Sequence, residues 1–228
     1  MARVARVVIP GCPHHVVQRG VRSLRVFFSD ADRNEYLSLL KQSAERWELS
    51  VWAWCLMSTH VHLLVVPRHA ESMARAIGEA HRQYTRRVNL RQGVRGHLFQ
   101  ERFHSYPIQK DRHLLAVARY IEMNPVRAHL VSRPQEYRWS SAPHHLLGVA
   151  DPLVVESPLE EMTGSWAAFL SEAEAANERR MVELHLRTGR PYGERTWCQR
   201  LEKRLGRALL PRKRGWPKGR PRSKKSAG

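Results

Sequence analysis

One stretch constrains this chain more than any other. It reads Cys55-Leu56-Met57-Ser58-Thr59-His60-Val61-His62-Leu63-Leu64-Val65-Val66. An apolar strand ends, Ser58-Thr59 make a tight turn, and a second strand follows, so the chain must build a sheet around this hairpin. The second strand is apolar, yet it carries two histidines. Side chains two apart on a strand project to the same face, which sets His60 and His62 side by side. Neutral imidazole is a common metal ligand, and the pair is read as gripping a divalent ion. Two solvated surface imidazoles are the bland alternative, and context decides between them.

The neighbouring sequence supplies the sheet's other parts. Residues 14–19 read as a strand closed by Gly20. Ser29 and Asp32 have the spacing of a helix start, and Tyr36, Leu39, Leu40, Ser43 and Trp47 follow at helical spacing. Residues 51–56 form a strand with Trp52 and Trp54 expected on one face, and Pro67 stops the strand of the two histidines. A second helix covers 71–88, with Tyr84 in its apolar stripe and so read as core. Residues 91–102 read as a loop and 103–109 as a fourth strand. The order β-α-β-β-α-β predicts an α+β, ferredoxin-like antiparallel sheet. A third helix opens at Asp111 and closes before Pro125. On it Tyr120 and Asn124 share a face at the border of the apolar stripe, where a ring packs and a hydroxyl reaches a cleft. Asn124 or a carboxylate could add a ligand to the two imidazoles; His14, His15, His97 and His104 are further candidates.

Charge points to the partner. The chain of 228 residues has a formal net charge of +18, and residues 187–228 hold 15 Lys and Arg against 2 acids. Such an imbalance calls for a polyanion. We place a domain of catalytic size at 1–150 and a partly helical, basic extension at 151–228, disordered from about 211. Three dispersed cysteines argue against a disulfide framework and a cysteine zinc knuckle. No apolar run approaches the ~18 residues of a membrane span, and no signal peptide is read at the N-terminus; a cytoplasmic protein without a membrane partner is expected. The His-x-Glu…Pro-Cys-x-x-Cys pattern of nucleobase deaminases and the His-Glu-x-x-His of zincins are both absent.

Three segments taken in order carry a family resemblance: His60-Val61-His62-Leu63-Leu64, then His97-Leu98-Phe99-Gln100-Glu101-Arg102-Phe103, then Tyr120-Ile121-Glu122-Met123-Asn124-Pro125-Val126-Arg127-Ala128. Together they resemble the single-tyrosine HUH transposases, and more closely the REP-associated tyrosine transposases, over roughly residues 10–147. Thr188-Gly189-Arg190-Pro191-Tyr192-Gly193 and the Arg/Pro tail also look like that subgroup's C-terminus. The resemblance implies a metal-dependent transposase and nuclease for single-stranded DNA, which cleaves and rejoins near palindromic hairpins through a 5′-phosphotyrosine. It puts the nucleophile on Tyr120 and the site for Mg²⁺ or Mn²⁺ on His60, His62 and Asn124. Ser58-Thr59 depart from the Pro-Asn usual in relatives, which alters the turn and not the ligands. Arg102, Arg119 and Arg127 are expected to position backbone phosphates. Arg190, Lys213, Arg214 and Arg220 are expected to hold a DNA hairpin, with Trp197 and Trp216 available for stacking. A monomer is favoured over a dimer. The rival reading is a non-catalytic nucleic-acid-binding protein derived from a transposase.

Overall fold

The computed structural model describes residues 6–155, 157–172 and 176–211. Its sheet has strands β1 (His14–Arg19), β2 (Leu49–Met57), β3 (His60–Pro67) and β4 (His104–Pro107). Helix α1 (Asp30–Arg46) lies between β1 and β2, and α2 (Ser72–Gln92) between β3 and β4. The spatial order is β2-β3-β1-β4, with every neighbouring pair antiparallel. This is the ferredoxin-like α+β sheet expected from the sequence. It puts β1 and β3 at the centre, so His60 and His62 stand on an interior strand.

Local chemistry sets these elements. The Ser29 hydroxyl accepts from the Asp32 amide at 3.2 Å and the Asp32 carboxylate accepts from the Ser29 amide at 2.9 Å; the reciprocal pair satisfies amides that the first turn of α1 leaves unbonded. Strand β3 alternates strictly. Val61, Leu63 and Val65 join the core under α1 and α2, beside Tyr36, Ile77 and Tyr84. Leu64 faces the opposite way, into a second core with Tyr106 and helix α3 (Arg112–Glu122). Strand β2 breaks the expected alternation. The register shifts between Val51 and Ala53, so Trp54 enters the first core and Trp52 the second. A bulge adds one residue and turns every later side chain over, which is why the two tryptophans do not share a face.

The chain then runs through α4 (Asn124–Arg127), α5 (Ala142–Leu147), α6 (Leu159–Thr163), α7 (Trp166–Ser171), α8 (Ala176–Thr188) and α9 (Arg195–Leu205). The partly helical extension expected from 151 carries α6 to α9 among the described residues. Leu159, Trp166, Leu170, Val182 and Tyr192 are buried in the second core with α3. The sequence division near 150 therefore separates stretches whose side chains share one core. In α9, Trp197 and Leu201 pack with Val7, Ile9 and Leu209, whereas Leu205 is 40% exposed. The tail expected to be disordered from about 211 falls almost wholly in 212–228, outside the described residues. No helix among the described residues is long and apolar enough to cross a membrane.

Candidate active site

The second sheet face brings three rings together. The rings of His60 and His62 lie 4.9 Å apart, centroid to centroid, and the ring of Tyr120 lies 5.7 Å from that of His62. Two strand neighbours thus meet a residue from α3, 58 positions along the chain from His62. Each imidazole is oriented by its Nδ1. That of His60 is 2.9 Å from the Thr59 hydroxyl. That of His62 is 3.0 Å from Nε2 of His15, whose own Nδ1 is 3.0 Å from the Tyr106 hydroxyl. The Nε2 of His60 and of His62 are the nitrogens left for a ligand. Burial, with the charge of Arg19 adding to it, lowers the pKa of His60 to about 4. Burial first, then neighbouring charge, puts His62 well below its ordinary value. Both rings are therefore neutral at pH 7, the form that binds metal.

Tyr120 is 9% exposed. Burial raises its pKa, and the Arg127 charge works the other way. The Arg127 guanidinium sits 4.4 Å above the Tyr120 ring and donates to the Tyr120 carbonyl. Asn124 lies past the end of α3, as the first residue of α4, and its amide nitrogen is 3.5 Å from the same carbonyl. Among the described residues no group of three or more His, Cys, Asp or Glu is placed to hold a metal ion. The outer nitrogens of His60 and His62 have the chemistry that a divalent cation takes, since both rings are neutral and stand side by side.

With this geometry established, comparison with known proteins is informative. The family description "Transposase IS200 like" matches residues 9–124. That is half of the chain, and it takes in the whole sheet, His60, His62, Tyr120 and Asn124. The chain belongs to the IS200-like transposases. A protein of Haemophilus influenzae, provisionally named a REP-associated tyrosine transposase, is 28% identical over 118 residues, covering 47% of this chain and 67% of that one. A solved structure of a REP-associated tyrosine transposase bound to a REP hairpin superposes with a TM-score of 0.56 at 16% identity. It covers 69% of this chain and 93% of its own. That likeness is one of fold.

Two contiguous hollows mark the basic face of this IS200-like transposase. A cleft of about 570 Å³ is lined by Tyr120, Arg19, His104, Glu101 and Arg187. It shares Glu101, His104 and Arg187 with a second hollow of about 430 Å³, lined also by Arg6, Arg102, Arg190 and Arg207. Arg102 and Arg190 are exposed there. Arg119, expected on the DNA, is not. It is 4% exposed, donates to the Phe169 carbonyl at 2.9 Å, stacks 3.7 Å over the Phe169 ring and pairs with Glu172 and Glu178 at 3.5 Å. Its place on the packed side of α3 keeps its guanidinium from the solvent face. Lys213, Arg214, Trp216 and Arg220 lie outside the described residues. Sequence reasoning missed Arg19, Arg187 and Tyr106. Tyr106 stands opposite His15 in the β1–β4 register, a pairing visible only once strand neighbours are known. His14 serves structure: its Nδ1 is 2.8 Å from the Cys12 carbonyl and its Nε2 accepts from the Ile9 amide. Tyr84 is a core residue that donates to the Val26 carbonyl at 2.7 Å.

Proposed function

We propose that this IS200-like transposase cleaves and rejoins single-stranded DNA next to a hairpin, with Tyr120 as nucleophile and a divalent cation, Mg²⁺ or Mn²⁺, held by His60 and His62. The observation that supports this most is the Tyr120 ring lying 5.7 Å from that of His62, itself 4.9 Å from that of His60. Asn124 is the proposed third protein ligand, through its amide oxygen. When bound, the cation polarises a phosphate oxygen and offsets the charge that develops in the transition state.

The protein's own groups do the rest. Tyr120 must lose its phenol proton to attack; burial holds its pKa above the ordinary value near 10, and the Arg127 charge works toward the phenolate without cancelling that rise. The phenol proton passes to solvent, the Tyr120 oxygen attacks phosphorus, and the bond to the 3′ oxygen breaks as that oxygen takes up a proton from solvent. That oxygen leaves as a 3′ hydroxyl, while the 5′ phosphate stays on tyrosine. The ester conserves the energy of the cleaved bond, so attack by another 3′ hydroxyl reverses the step and joins strands without a high-energy cofactor. Arg102, Arg190 and their neighbours in the adjoining hollow bind backbone phosphates, a sequence-independent and salt-dependent contribution. The hairpin named with the structural neighbour is the partner proposed here.

The test is a labelled single strand carrying a palindromic hairpin, incubated with protein and Mn²⁺. Wild type gives a covalent adduct on a denaturing gel. Tyr120→Phe gives none and still binds DNA. An adduct formed by Tyr120→Phe assigns the nucleophile elsewhere, and no cleavage by wild type under any divalent ion returns the protein to a binding role.

A further inference from the structure

We propose that Glu101 reads a base: its carboxylate accepts from the pairing edge of an unpaired guanine in the strand that enters the Tyr120 cleft. The proposal rests on the single-stranded DNA reading above. A third hollow of about 570 Å³ adjoins the two already described, and Glu101 lines all three. Arginines dominate these walls, with Arg19 beside Tyr120, Arg190 and Arg207 in the second hollow and Arg82 in the third. Glu183 is the other acid on them, and it pairs with Arg179 at 2.9 Å. Glu101 is exposed, and among the described residues no hydrogen bond or ion pair engages its carboxylate. Its backbone is held. Glu101 has a φ of 50°, a left-handed conformation that a residue with a side chain keeps only where its surroundings impose it. Before it, the Gln100 amide donates to the Arg19 carbonyl at 2.8 Å, and the Gln100 carbonyl accepts from the Gln18 amide at 2.7 Å. After it, the Phe103 carbonyl accepts from Nε of Arg6 at 3.1 Å, and the Arg6 guanidinium lies 3.6 Å over the Phe103 ring.

An ionised carboxylate accepts hydrogen bonds and donates none. It repels phosphates, which go to the arginines around it. It therefore meets DNA only at a donor. Terminal hydroxyls aside, the donors of an unpaired strand are the N–H groups on its base edges, which a single strand leaves open to side chains. Guanine alone sets two N–H groups side by side, at N1 and N2, matched to the two oxygens of one carboxylate. Adenine and cytosine set one amino group beside a ring acceptor, and thymine sets its N–H between two carbonyls. Each of these turns a lone pair toward the second carboxylate oxygen. A charge-assisted bidentate contact is the strong kind. The phosphates on Arg102 and Arg190 give affinity without sequence, and Glu101 adds a choice of base beside Tyr120.

The experiment uses the full chain without added metal, so that binding is read apart from cleavage. The probe is a pool of synthetic single strands, each a hairpin flanked on both sides by six random nucleotides, and the bound strands are sequenced. Wild type enriches guanine at one flanking position by about 10–100-fold over the other bases. Glu101→Gln offers one acceptor and one donor, so the preference at that position moves to adenine or cytosine, whose edges pair a donor with an acceptor. Glu101→Gly suits the left-handed backbone, keeps the melting temperature and loses the preference at that position alone. A wild type without guanine enrichment overturns the proposal. So does either variant with the wild-type preference, including one that binds every sequence more tightly by the same factor, the result for a merely solvated acid. A wild type that binds no strand of the pool overturns the DNA reading instead, and the role of Glu101 with it.

Discussion

Glu122, two residues past Tyr120, shows how a single side chain ties down the helix that carries Tyr120. It is fully buried. One carboxylate oxygen accepts from the Ser141 hydroxyl at 2.5 Å and from Nδ1 of His145 at 2.6 Å, and the other from the Trp166 indole at 2.7 Å. A carboxylate is tolerated in a core only when its lone pairs are met in this way. Burial works against a proton on His145, and the facing carboxylate more than offsets it, raising its pKa. Removing the acid leaves three donors stranded. Glu122→Ala is expected to cost about 3–5 kcal/mol of stability, the range for a broken buried pair, read as a lower urea midpoint. At Gly193 the constraint is space. A Cβ there would lie 2.6 Å from the Trp197 ring and 2.7 Å from Cβ of Gln109. This gives the Thr188–Gly193 motif a physical reason: it lets α9 begin hard against the residues after β4.

Helix α3 serves three neighbours at once, because successive residues point about 100° apart. Tyr120 turns to the histidines of β3, Glu122 to α5 and α7, and Arg119 to Phe169, Glu172 and Glu178. The helices after residue 150 thus back the helix that presents Tyr120. Two arginine substitutions separate backing from binding. Arg102→Ala and Arg190→Ala, on the exposed rim, are expected to weaken DNA binding and each to reduce its log–log salt slope by about 1. Arg119→Ala is expected to leave that slope unchanged and to lower the melting temperature. Titrations of a hairpin oligonucleotide at several salt concentrations, beside thermal melts, check both.

On the scale of the whole molecule, buried imidazoles set the response to acid. Burial lowers His14 to about 4 and His15 and His81 to about 3. An unfolded chain takes up these protons near pH 6.5 and the folded one does not, so the unfolded state binds more protons between those values. Stability is therefore complete above about pH 6.5 and falls as the pH drops toward 4, which urea midpoints at pH 7.5 and 5 would show. The C-terminal charge divides in a similar way. Residues 212–228 hold 8 Lys and Arg and no acid, whereas 187–211 include the buried Tyr192, Cys198, Leu201 and Leu209. Ending the chain after Pro211 is expected to keep the melting temperature and flatten the salt dependence of DNA binding. Ending it at 187 is expected to lower the melting temperature. The order of elements, the alternation of β3 and the pairing of His60 with His62 were legible in the chain itself, because strand and helix periods are local. The bulge that parts Trp52 from Trp54, the burial of Arg119, the docking of α6 to α8 and the contacts that run from Tyr106 through His15 to His62 were not. Each depends on which strands become neighbours and which helix covers which face, and packing decides that over separations no local pattern records.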